Sequence, residues 1–234
     1  MTIANFKKRV GAIIDRDPAS FIVDSYDNML AAMNEARMWA QREHTFHLLK
    51  QDVFASITSG GINWMTECTD APGGSAVVMK QIDGVWNYTT ETIGGSPVYV
   101  RTTYYDYGLL SDLRLKLRKI SSPYEAMSNP QQALQTQMAY TQGQRLYLSN
   151  TGVATDVLLE GVAFLPDLTD ASAPDLFLTY FSDWLVYGTI TALNHYLKAD
   201  QRFPIDVAVA DRLWRSVIKF DGDVAMAGQS VDLE

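Results

Sequence analysis

Three histidines, one cysteine and a few closely spaced carboxylates are the residues from which this chain could build chemistry. His44 and His47 stand three apart beside Glu43, a spacing that could present two imidazoles to a metal ion, but no third ligand is evident. His195 falls near the end of a helical run, where the helix dipole favours a cation. Asp167 with Asp170, and Asp221 with Asp223, are paired carboxylates in turn-rich or terminal stretches, where Asp is common for its own hydrogen bonding. Calcium binding by the second pair would lack the usual loop signature. Cys68 would need a neighbouring His and a third group to serve as a nucleophile. The phosphate-binding, dinucleotide, nucleophile-elbow and zinc-protease motifs are absent. The expectation is a non-enzyme with no catalytic residue, metal or cofactor.

Two further groups suit contact rather than catalysis. Trp86-Asn87-Tyr88 and Tyr104-Tyr105-Asp106-Tyr107 would stack on sugars or touch a neighbouring subunit if exposed, and would be sheet core if buried. Leu113–Lys119 alternates leucine with basic residues, so as a strand it gives one apolar face and one face carrying Arg114, Lys116, Arg118 and Lys119. That strip would be a solvated face, or would meet a polyanion or an acidic neighbour.

These residues hang on a recognisable pattern of elements. Ile3, Phe6, Val10 and Ile13 recur at helical spacing, and Asp17-Pro18 is expected to close that helix. A second, Ala- and Met-rich helix is expected from about Ser20, with Tyr26, Met29, Met33, Ala36 and Ala40 as its stripe. From Thr45 the texture changes to aromatic and β-branched residues broken by turn signals at Ser59-Gly60-Gly61, Pro72-Gly73-Gly74, Asp83-Gly84, Gly94-Gly95 and Ser96-Pro97. Ile82-Asp83-Gly84-Val85 predicts a two-residue hairpin turn. Arg145–Leu148 and Asp156–Phe164 predict another hairpin, and Ser121–Gly143 an extended arm or loop. From Ser182 to Phe220 the helical period returns twice, with Ser182 or Asp183 capping the first helix. Ala199–Ile205 is expected as the turn, Asp206 as the second cap and Gly222 as the stop.

The fold class read from this is α+β: a four-helix bundle from N- and C-terminal helix pairs, with an inserted antiparallel β-rich domain. The helical part comprises 1–45 and 169–222, the insert 46–168, and a flexible tail 223–234. Hydrophobic residues make up 47% of the chain and charged residues 20%, so a packed core is affordable and wholesale disorder is not expected. A net charge of −8 argues against broad nucleic-acid or anionic-membrane binding. No apolar run reaches membrane-spanning length, Met1–Arg16 lacks a signal-peptide core, and a single cysteine fits a reducing compartment. The expectation is a soluble, unexported protein.

The segments Arg145–Leu148, Val162–Leu168 and Tyr180–Gly188, with the N-terminal short helix, Pro-containing turn and Ala/Met-rich helix around Asn34-Glu35-Ala36, resemble the head-to-tail adaptor proteins of tailed bacteriophages. The likeness covers both ends of the chain, whereas residues 54–144 share only their β- and loop-rich character. The resemblance implies a structural virion protein at the neck, made in the host cytoplasm. It implies a homo-oligomeric ring, a dodecamer, that sits beneath the portal protein, extends the DNA channel and offers a platform to tail or nozzle proteins. It further implies a C-terminal segment that reaches the portal, here Asp223, Val224, Met226, Val231 and Leu233. Arg114, Lys116, Arg118 and Lys119 are the candidates for subunit or DNA-channel contacts, although a basic strip suits an acidic channel only if it faces outward. An acidic lumen would limit sticking to DNA that passes without sequence recognition. The contrasting readings are a glycan-binding or glycan-degrading module using Trp86, Tyr88 and Tyr104–Tyr107, and another neck or tail-tube protein.

Overall fold

Helix α1, Ile3–Ile14, forms where the apolar period predicts it: Ile3, Phe6 and Val10 are buried, with Ile14 rather than Ile13 completing the buried stripe, and the Thr2 hydroxyl accepts from the Asn5 N–H as its cap. The computed structural model describes residues 1–58, 60–109, 138–148, 154–197 and 203–229. Asp15, in the left-handed region at φ 55°, ends α1, and Asp17 instead caps the following 3₁₀ turn at Pro18–Phe21. The second helix does not begin at Ser20. A small antiparallel ribbon, β1 (Ile22–Val23) and β2 (Tyr26–Asp27), intervenes, its turn made by Asp24 and Ser25 at positive φ. Helix α2, Asn28–Glu43, then starts under an Asp27 cap. Tyr26, expected on its stripe, is an exposed ribbon residue.

The chain forms two compact units, residues 1–48 with 165–234, and residues 49–164. In the first, α3 (Leu176–Tyr180), α4 (Ser182–Leu197) and α5 (Phe203–Gln229) follow α1 and α2. Helix α4 is central: α1, α2, α3 and α5 all pack against it. Its Trp184, Leu185, Val186, Ile190 and Leu193 are buried, so it is apolar around most of its girth rather than along one stripe. The short α3, capped by Asp175, has no counterpart in the sequence reading. Pro204 does not lie in a turn but in the first turn of α5, where proline's missing N–H costs nothing; Asp206 sits in that turn rather than at the cap. Gly222 does not stop the helix, which runs 27 residues, about 40 Å, to Gln229. Asp223, Val224 and Met226 are therefore helical and not part of a loose tail, because the buried Asp221 anchors α5 beyond the point where glycine propensity alone would fray it.

The second unit is built from β3 (Lys50–Ile57), β4 (Ile62–Asn63), β5 (Cys68–Thr69), β6 (Ala76–Val77), β7 (Met79–Ile93), β8 (Ser96–Tyr104), β9 (Asp106–Leu109), β10 (Met138–Gln142), β11 (Arg145–Leu148) and β12 (Thr155–Ala163). One sheet has the order β6-β5-β3-β12-β7-β8 and is antiparallel; the other is β4-β11-β10-β9, with β9 and β10 parallel. Val53, Ala55, Ile57, Val85, Val157 and Leu159 from the first sheet meet Ile62, Ala139, Leu146 and Leu148 from the second in one core.

The structure departs from two of the expected hairpins. Asp83-Gly84 is not a turn: β7 runs straight through it, and the register against β12 jumps from Gly84↔Glu160 to Ile82↔Gly161, leaving Asp83 as the extra residue of a bulge. Its carboxylate is held by Lys50 at 2.9 Å. A Cβ on Gly161 would lie 2.1 Å from the Gln81 carbonyl oxygen, so this close strand approach admits no side chain there. The turn comes instead at Gly94-Gly95, both at positive φ, between the paired Ile93 and Ser96. Likewise β11 and β12 are not partners: β11 pairs with β10 across Gly143 and with β4, while β12 lies in the other sheet between β3 and β7. The pairing of β11 with Met138–Gln142 converts the end of the expected arm into strand.

Candidate interaction face

Strand alternation sends Val85 and Asn87 into the second unit and Trp86 and Tyr88 to the sheet's outer face. The register sets Leu158 beside both Phe54 and Trp86, Glu160 beside Asp52, Trp86 opposite Tyr104, and Tyr88 opposite Arg101. The outer face of β3, β12, β7 and β8 thus gathers Phe54, Trp86, Tyr88, Tyr99 and Tyr104 around one guanidinium. Arg101 donates to Asp52 through Nη2 at 2.5 Å, and more weakly through Nε at 3.4 Å; its Nη1 donates to Glu160 Oε2 at 2.9 Å. Its Cζ stands 5.3 Å from the Trp86 ring centroid. Burial works to lower the Arg101 pKa, but the bonds and charges of Asp52 and Glu160 more than offset it, so the guanidinium is held above its ordinary value.

The aromatic rings lock one another. Tyr104 meets Trp86 at 4.8 Å between centroids, and Phe54 meets Tyr88 at 5.2 Å and Tyr99 at 4.6 Å, each near edge-to-face. Burial, then the nearby Asp156, raises the Tyr88 phenol above its usual pKa. Tyr105 points the other way, buried, with its hydroxyl donating to Asn87 Oδ1, and Tyr107 is half-buried. So the run Tyr104–Tyr107 is divided between outer face and core. Both carboxylates are clamped on one guanidinium that also covers Trp86. This is a pre-ordered surface of Arg, Trp and Tyr, the residue types that anchor protein interfaces.

Beyond this face the β7–β8 hairpin projects as an arm. Strand β12 pairs with β7 only as far as Trp86, so among the described residues Tyr88–Ile93, about 20 Å of strand, has β8 as its only sheet partner. Residues 89–98 are exposed on both faces, including Ile93 and Val98.

The other expected residues fall into different settings. His44 Nε2 lies 3.0 Å from Asp221 Oδ2, while the backbone N–H groups of His47 and Leu48 donate to the same carboxylate. Asp221 is thus a buried anchor between α5 and the α2 exit, and the helix turns Asp223 outward, which separates that carboxylate pair. Asp170 accepts from Lys7, which Asp27 also holds; burial lowers the Lys7 pKa, but these two bonds prevail and raise it. Asp167 and Asp170 line a cavity of about 650 Å³ with Asp27 and Glu35. Cys68 is fully buried, its S–H donates to the Trp64 carbonyl at 3.2 Å, and burial, then the charge of Glu67, pushes its pKa up to about 12. Among the described residues, no group of three His, Cys, Asp or Glu side chains could hold a metal ion, and no helix is long and apolar enough to cross a membrane. Val224 is half-buried and Met226 exposed. Arg114, Lys116, Arg118, Lys119, Val231, Leu233 and the His195 side chain lie outside the described residues.

Sequence reasoning missed a buried guanidinium. Arg37 donates from Nε to Asp175 Oδ2 at 2.8 Å, from Nη1 to Asn34 Oδ1 at 2.7 Å and from Nη2 to the Pro166 carbonyl at 3.1 Å. Asn34 also brackets Leu168, accepting from its N–H and donating to its carbonyl, while Gln41 accepts from the Leu165 N–H. The signal was present in the spacing: 34, 37 and 41 share a helix face with the apolar stripe. No protein-family model matches this chain, and no curated protein matches it.

Proposed function

We propose that this protein is a structural subunit of a phage neck, a head-to-tail adaptor that assembles as a closed ring on the portal protein and offers its outer surface to tail or nozzle proteins. The observation that carries the proposal is the β7–β8 arm. An isolated two-stranded hairpin is marginal in water, and among the described residues this one exposes Ile93 and Val98 with β8 as an open edge. Such an arm gains its stability from a neighbour, and identical neighbours in a heterologous contact form a ring where the rotation between them closes. The sequence resemblance at the two ends of the chain supports the same reading. In it, the helical unit acts as a four-helix bundle, residues 223–234 reach the portal, the 114–119 strip lies at a subunit or channel contact, and DNA passes without sequence recognition. The protein works at the virion neck and not as an enzyme.

The glycan reading needs a free stacking platform. Arg101 over Trp86, with Tyr104 at its edge, leaves mainly Tyr104 for that task, which favours a protein contact.

The test is native mass of the full chain alone and mixed with the portal protein of the same particle, at low and high salt. Two variants accompany it: one with Glu91–Val98 replaced by an Asn-Gly turn, and one ending at Gly222. The expected result is a ring on the portal that the shortened arm prevents from closing and the shorter chain fails to dock. A full-length chain that stays monomeric with the portal at every salt concentration overturns the proposal.

A further inference from the structure

Three tryptophans from three helices meet in the first unit. Trp39 of α2 and Trp184 of α4 stack at 6.2 Å between centroids, and Trp214 of α5 is tilted against both, at 5.2 Å and 5.1 Å. They form a corner that lines a groove of about 280 Å³. Small residues keep it open: a Cβ on Gly188 would touch the Ala36 methyl and the Trp184 ring, both at 3.4 Å. Trp39 is 46% exposed at the mouth, an unusual position for so large an apolar ring.

The charges around the groove have one sign. Among the described residues, Glu35 and Asp211 line it, no lysine or arginine does, and neither carboxylate forms an ion pair. The Thr191 hydroxyl at its wall is already donating to the Tyr187 carbonyl. Indole faces carry negative potential, and the two carboxylates add to it, so the fitting occupant has an apolar stem and a positive head. The volume lies below the usual range of small-molecule pockets and suits one side chain.

We propose that this groove receives a lysine or arginine side chain of a partner polypeptide, its stem along Trp39, Trp184 and Trp214 and its charged head between Glu35 and Asp211. Occupancy of the groove is independent of ring assembly and of the β7–β8 arm.

The test is an NMR titration of the full chain, following the indole N–H signals, with N-acetyl-lysine and N-acetyl-arginine methylamides as probes and the norleucine analogue as neutral control. Saturable shifts at Trp39 and Trp214 are expected for the cationic probes, with the neutral probe at least tenfold weaker. The double variant Glu35→Gln/Asp211→Asn, whose substitutions lie on the exposed rim, should weaken binding at least fivefold, and 0.5 M salt should do the same to the native chain. Gly188→Leu, filling the groove, should abolish it, with thermal unfolding checked for each variant. Absence of saturable shifts, equal binding of the norleucine probe, or unchanged affinity in the folded double variant would each overturn the assignment.

Discussion

Arg37 and Asp175 form an ion pair sealed inside the first unit, with their side chains 2% and 12% exposed. One sits mid-helix on α2 and the other caps α3, so a single contact fixes elements 138 residues apart in sequence. The same guanidinium holds the Pro166 carbonyl, and with Asn34 and Gln41 it binds the extended segment Leu165–Leu168 along α2.

Removing one member of this pair leaves a buried, unmatched charge. Arg37→Leu alone is expected to cost about 3–5 kcal/mol in denaturant unfolding. Arg37→Leu with Asp175→Ser, which keeps a capping oxygen, should recover part of that loss. A double variant no more stable than the single one would show that the pair's value lies in its other hydrogen bonds.

Asp221 accepts from three donors in the 44–48 turn and is fully buried. Asp221→Ala should destabilise by about 3 kcal/mol and loosen the end of α5 first. Hydrogen exchange should therefore accelerate at His47, Leu48 and residues 222–227 before the rest of the unit. Asp221→Asn, which retains one acceptor oxygen, should lose less.

Cys68 makes stability depend on alkaline pH. Its thiol titrates near 9.0 when unfolded and at about 12 when folded. The folded state thus holds a proton that the unfolded state releases. The stabilisation is complete below pH 9 and declines as pH rises toward 12, by at most about 1.4 kcal/mol per unit. Between pH 9 and 10 the native chain should lose stability more steeply than Cys68→Ala. Thiol labelling at pH 8 should wait on unfolding and speed up with denaturant.

Thr189 is fully buried on α4, and among the described residues its hydroxyl has no hydrogen-bond partner. Thr189→Val keeps the shape and removes the unmatched group, so it should raise stability by about 1 kcal/mol. A loss in thermal unfolding instead would point to a water bound at that hydroxyl.

Local repetition is what the order of the amino acids specifies. The apolar period of α1, the Ala/Met run of α2, the change to β-branched texture after Thr45 and the helical return after Ser182 each follow from a few consecutive side chains, and together they specify a mixed α+β chain. Local signals misled where one residue type serves two backbones. Asp83-Gly84 reads as a turn, yet adjacent pairing to β12 makes it a bulge; Gly222 reads as a stop, yet Asp221 is buried one residue earlier and carries the helix on. Sheet partnership was not legible either, because Arg145–Leu148 has the same alternation whether it pairs forward or back. The groups that matter most for contact were decided only by tertiary structure. Arg37 shows locally only as a polar position beside the apolar stripe of α2, and only packing brings Asp175 to it, Asp52 and Glu160 to Arg101, and the three tryptophans to one another. Long-range electrostatic and aromatic partners depend on distances between elements, which no local period encodes.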